Sequence, residues 1–108
     1  MKMFCPLRRR TDMTHGQFVD HWLTRHVPLA LEHHPSMVRY VTNVVDQRLS
    51  RDCPDWDGFA EITFASAADV RERMFGSPEG ERIVRDDIAR FIGHTFPYWV
   101  AEHVQKVR

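Results

Sequence analysis

No charge of either sign predominates in this chain. Fifteen Lys and Arg balance fifteen Asp and Glu over 108 residues. Phosphate backbones need a surplus of positive charge on one face, so this balance gives no basis for a nucleic-acid partner. The single basic run, Arg8-Arg9-Arg10, runs at once into Thr11-Asp12 and reads as a solvated strand end. Glycine is scarce, with five residues and no GxGxxG run, and 108 residues leave no room for several βαβ units. A dinucleotide-binding fold is therefore not expected. The two cysteines, Cys5 and Cys53, form no CxxC pair, so no disulfide framework is expected and a reducing compartment is the simpler assumption. No apolar run approaches a membrane span, and the N-terminus lacks the apolar core of a signal peptide. A cytoplasmic protein with no membrane partner is expected. HExxH is also missing. The seven histidines show no three-ligand spacing with carboxylate support, so no metal site is expected, even though His21, His26, His33 and His34 cluster along the chain.

What remains reads as one α+β domain over residues 1–108. KMFCPLRR, residues 2–9, reads as a first strand with Met3, Cys5 and Leu7 on one face and Phe4 on the other. Pro6 cannot donate to a ladder, so a local irregularity is expected there. Thr14 and Gln17 fit a capping box, and Phe18, Trp22, Arg25/His26 and Leu29 then recur at helical spacing up to Pro35. Pro28 leaves the Thr24 carbonyl without its helical donor, which predicts a kinked turn. Residues 37–48 read as a second strand, with Val38 and Tyr40 facing one way and Val41 and Val45 the other. WDGFAEITF reads as a third, in which Gly58, Ala60, Ile62 and Phe64 alternate with Phe59, Glu61 and Thr63. Ser66 with Asp69 opens a helix through Met74, Pro78 starts another to about Ile92, and HTFPYWVAEHV reads as a fourth strand.

The order βαββαβ is the ferredoxin-like arrangement, a four-stranded antiparallel sheet with both helices on one face. The other face carries Val41, Val45, Phe59, Phe96, Tyr98 and Val100. A bare apolar sheet face is a partner surface, and the economical partner is a second copy, so a homodimer packed through its sheet faces is expected.

An ordered set of residues spans nearly the whole chain: Phe18-x3-Trp22-x3-His26-x-Pro28-Leu29, then Pro35 and Arg39-Tyr40, Asp57-Gly58-x-Ala60-Glu61-x2-Phe64, Ser77-Pro78, Asp87-x3-Phe91 and Glu102-His103-Val104. This set resembles the EthD family of dimeric α/β-barrel proteins. The resemblance implies a ferredoxin-like fold, dimerisation by sheet packing and a small apolar cavity between sheet and helices. It also implies chemistry without metal, haem or nucleotide cofactors. Characterised members include lactone isomerases, cyclases and dehydratases of polyketide or aromatic intermediates. The family's recurring histidine falls on His26 and its late aspartate on Asp87.

His26 shares a helical face with Trp22 and Phe18, so its imidazole is aimed at the interior. A histidine there either exchanges protons with a bound substrate or is a satisfied core residue. One of Asp86 and Asp87 can turn inward to orient His26, while solvation of the pair is the competing reading. Tyr40 can offer its phenol to a developing oxyanion, or serve as core. Trp22, Phe64 and Phe91 would line an apolar cavity. Glu61 is taken with them as a substrate contact, although its strand parity also fits the dimer face. Together these residues describe a cofactor-free lyase or isomerase, of dehydratase or cyclase type, acting on a hydrophobic polyketide-like or aromatic lactone. The rival readings are a cofactor-free monooxygenase of quinol-like aromatics and a non-catalytic small-molecule-binding or stress-response module.

Overall fold

A computed structural model describes residues 1–108. β1 (Lys2–Arg9) leads into one long helical segment. In it α1 (His15–His21), a π-helical turn (Trp22–His26) and α2 (Val27–His33) follow without a break. Next come β2 (Met37–Val44), β3 (Gly58–Phe64), α3 (Ala67–Arg73), α4 (Pro78–Phe91), β4 (Ile92–Thr95) and β5 (Tyr98–Val100). The caps expected at Thr14 and Ser66 are in place, and Ser77 adds a third. Thr14 and Gln17 close a reciprocal box at α1, Ser66 Oγ accepts from the Asp69 N–H, and Ser77 Oγ accepts from the Gly80 N–H with Pro78 in the first turn of α4. No helix is long and apolar enough to cross a membrane.

The sheet runs β2-β3-β1-β4, antiparallel at every pairing, so two split βαβ halves interleave as the ferredoxin-like order requires. Two features of the expected architecture are overturned. The sheet has five strands rather than four, and it is not closed into a barrel. The fifth strand arises from proline. β4 pairs with the C-terminal half of β1 and β5 with its N-terminal half, and Leu7–Thr95 and Phe4–Tyr98 keep a common register. Cys5 and Pro6 therefore come opposite Pro97 and Phe96. Pro6 has no N–H to give the strand opposite it, and Pro97 follows Phe96 directly, so one ladder is cut into two. The sheet stays open because β2 and β4 lie on opposite edges, and closure around packed side chains takes about eight strands.

Smaller departures follow from local backbone chemistry. β2 stops at Val44, short of the expected residue 48, because its partner β3 begins at Gly58 and the pair ends at Val44–Gly58. A bulge between Met37 and Arg39 breaks the simple alternation, so Tyr40 turns toward the helices while Val38 is exposed. The π-helical turn adds a residue to the helical phase, and Ala30 rather than Leu29 is buried after it.

The core lies between the helices and the face of β1 that carries Cys5 and Leu7. Phe18, Trp22 and Phe91 are fully buried there, with Phe18 5.7 Å from Trp22 and 5.3 Å from Phe91. Truncating such aromatics costs about 3–5 kcal/mol each, so α1 and α4 are held mainly by these three rings. Trp22 reaches the sheet at Gly58. A Cβ on Gly58 would collide with the indole ring and lie 2.9 Å from the Asn43 carbonyl oxygen. Gly58→Ala is expected to cost about 1–3 kcal/mol through overpacking. The check is urea unfolding, where the midpoint should fall at constant m-value.

Candidate active site

Pro28 has no N–H to offer the Thr24 carbonyl, and the helix responds by widening. The Val27 N–H donates to the Trp22 carbonyl five residues back, and Trp22–His26 form a π-helical turn. In an α-helix, residues five apart diverge by about 140° around the axis. The wider turn brings His21 and His26 toward one direction, and both meet the same carboxylate on α4. His26 Nδ1 is 2.9 Å from Asp87 Oδ2, and His21 Nε2 is 3.0 Å from Asp87 Oδ1. Of the two adjacent aspartates, Asp87 is the inward one. Asp86 is exposed and faces Arg82 at 3.5 Å.

Asp87 is 3 % exposed and His26 7 %. A buried carboxylate pays a desolvation penalty of several kcal/mol. Two hydrogen bonds to it, at about 1.5–3 kcal/mol each, offset that penalty. Phe91 packs against both imidazoles, its ring centroid 4.7 Å from His21 and 5.0 Å from His26. An ionised carboxylate only accepts hydrogen bonds, so the His26 Nδ1 carries the hydrogen and Nε2 keeps its lone pair. Burial pushes the His26 pKa below its ordinary value of 6.5, and the charge of Asp87 restores only part of the difference. The imidazole is therefore a neutral base at neutral pH.

His26 borders a cavity of about 400 Å³ between the helices and the sheet. Fifteen of its twenty lining residues are apolar, so the few polar atoms set the orientation of anything bound. Trp22 and Phe64 line it, and Tyr40 stands on its sheet side. The Trp22 indole N–H donates to the Tyr40 oxygen at 3.0 Å, so the phenol's own hydrogen is directed elsewhere. Burial pushes the Tyr40 pKa up to about 12, which keeps that hydrogen in place. His34 also faces the cavity. Its Nδ1 donates to the Met74 carbonyl at 2.7 Å, leaving Nε2 as an acceptor, and burial lowers its pKa.

The fold thus brings together His26, Asp87, Tyr40, Trp22, Phe64 and Phe91, with Asp87 and Phe91 behind His26 rather than on the cavity wall. Glu61 does not join them, which corrects its inclusion among the substrate contacts. Its strand parity turns it to the helix-free face of the sheet, where it pairs with Lys2 at 2.7 Å and accepts from Asn43 at 2.8 Å. Sequence reasoning missed His21 and His34 as members of this group. A five-residue spacing carries no helical signal, and only Pro28 hinted that the spacing would be rescued. It also missed the role of Asp57, read only as part of the third strand and of the Asp57-Gly58 motif. Asp57 is 1 % exposed and accepts from the Arg9 N–H, the Arg9 guanidinium and His15 Nδ1, each at 2.7 Å. Burial opposes its ionisation, yet these donors outweigh burial and hold its pKa below the usual carboxylate value.

A family model for the EthD domain matches residues 10–95. The chain belongs to the EthD family. Solved structures agree on the fold. An EthD family protein from Bacillus halodurans C-125 superposes with a TM-score of 0.69 at 14 % identity, covering 93 % of this chain and 97 % of the other. A DABB family protein with a ferredoxin-like fold from Mesorhizobium loti MAFF303099 gives 0.67 at 13 % identity, covering 94 % and 96 %. HapK from Hahella chejuensis gives 0.57 at 14 % identity, covering 100 % and 97 %. No curated protein matches the sequence significantly. Within this EthD chain, the matched region contains both histidines, Asp87 and Tyr40.

The lowered His26 pKa makes stability depend on pH. The unfolded chain takes up a proton at about 6.5 while the folded chain resists it. Stability is fully present above pH 6.5 and is lost as pH falls through the folded value. His34 acts in the same sense. His26→Gln is expected to flatten the pH dependence of the unfolding free energy below pH 6.5, measured by urea titrations across that range.

Proposed function

We propose that this EthD protein is a cofactor-free lyase or isomerase acting on a small hydrophobic carbonyl compound of polyketide-like or aromatic lactone type. The observation that carries this reading is an imidazole whose Nδ1 is held by a buried carboxylate while its Nε2 stays available at an apolar cavity. Such a base has its tautomer and orientation fixed before substrate arrives. His26 Nε2 takes the proton from the carbon next to the substrate carbonyl, and the electron pair moves onto the carbonyl oxygen. The Tyr40 O–H stabilises that oxyanion, held in position by the Trp22 indole. The imidazolium then returns its proton to a leaving hydroxyl, giving dehydration, to another carbon, giving isomerisation, or to the alkoxide formed when the enolate carbon attacks a second carbonyl of the substrate, giving cyclisation. Asp87 compensates the imidazolium charge while it exists. Trp22 and Phe64 provide apolar contact with the substrate, and Phe91 supports His26 from behind.

We also propose that the protein works as a homodimer through its helix-free sheet face. That face carries the Phe4–Phe59 stack at 5.6 Å, with Tyr98 opposite Phe4 and 56 % exposed.

The reaction is tested in D2O with 2-tetralone and aromatic lactones, following deuterium entry at the carbon next to the carbonyl by NMR. The protein is expected to accelerate exchange, and His26→Ala to remove about 10²–10⁴-fold of it while circular dichroism is unchanged. Full exchange in His26→Ala would sink the mechanism. Oxygen consumption would favour an oxygenase, and binding with no turnover would favour a non-catalytic module. For the assembly, sedimentation should give a dimer, and Phe59→Asp with Tyr98→Asp a folded monomer. A wild-type monomer at the highest soluble concentration overturns the dimer.

A further inference from the structure

Asp87 has two carboxylate oxygens, and each is occupied by a different imidazole, at 2.9 Å for His26 and 3.0 Å for His21. The two histidines differ in what else they can reach. His26 borders the cavity, whereas His21 is not among the cavity-lining residues and keeps 16 % of its side chain accessible at the surface. The titratable groups set against this pair are Asp87 from α4 and, just past α2, His34, on which His26 acts. Phe91 from α4 packs against both rings without charge, and the neighbouring Asp20 and Arg25 are exposed. The site therefore offers one compensating negative charge to two groups that can each become positive.

We infer that His21 is a positioning residue that governs the protonation of His26 by competing with it for Asp87. The inference rests on His26 exchanging protons in the cavity as read above. One positive charge on the pair is balanced by the carboxylate, while a second is repelled across it. When His21 carries the proton, His26 stays neutral with its Nε2 lone pair ready. When His26 takes a proton from substrate, the carboxylate is drawn to it, and His21 gives up its own proton to water. Protons and charge then balance within the triad without Asp87 ever becoming protonated. His21 in this way links the dry side of the site to solvent, and the π-helical turn puts it there.

The test needs no substrate. The protein is labelled with 15N-histidine, and the ring nitrogens of His21 and His26 are followed by NMR across pH. In the wild type, each histidine is expected to titrate in two steps, with an inflection where the other one titrates. In His21→Gln, whose amide can still donate to Asp87, the His26 midpoint should rise on the order of one pH unit. A merely structural role for His21 would alter stability and leave the His26 midpoint unmoved. Single-step titration of both rings in the wild type overturns the inference without any variant having to fold, and so does an unmoved His26 midpoint in His21→Gln. Coupling with no deuterium exchange at substrate carbon would remove the catalytic reading alone. Exchange without coupling would remove His21 from it.

Discussion

The missing N–H of Pro28 is the constraint on which the candidate site depends. A regular α-helix over residues 15–33 would send His21 and His26 to different sides, and only one of them could meet α4. By releasing the Thr24 carbonyl and shifting the next bond to Val27–Trp22, the proline lets the helix widen for one turn. That turn coincides with the residues that matter. It starts at Trp22, which donates to Tyr40, and ends at His26, which donates to Asp87. A backbone defect is thereby turned into the register that aligns three polar contacts within an apolar layer.

Around it the fold separates two environments across one sheet. Toward the helices lie the buried aromatic rings, the cavity and the neutral imidazoles. On the far side lie the Phe4–Phe59 stack and the Lys2–Glu61–Glu102 ion pairs. The alternation of β3 assigns neighbours to opposite worlds, with Ile62 beside the cavity and Glu61 among solvated charges. The same separation explains why burial lowers the basicity of His26 and His34, while Glu61 on the charged face has its acidity strengthened by Lys2. Asp57 is the second buried carboxylate. It ties the end of β1 to the start of α1 through Arg9 and His15, and so fixes the entry to the helix that carries the site.

The sequence by itself determined the element order, because caps, prolines and apolar periods are local signals. Thr14 with Gln17, Ser66 with Asp69 and Pro78 act on their own neighbours, and β1 has the bounds its alternation predicts. The inward direction of His26 was legible for the same reason, through its four-residue spacing from Trp22. Tertiary structure alone decided the rest. The break between β4 and β5 needs Pro6 to come opposite Phe96, next to Pro97, and only strand pairing brings them together. Glu61 was misplaced although it shares its parity with Phe59 on the bare sheet face, and its pairing with Lys2 exists only once β1 lies beside β3. His21 was invisible because it joins the site through a carboxylate 66 residues away. A chain encodes its local hydrogen bonds directly, whereas a shared carboxylate exists only after packing has chosen which distant groups meet.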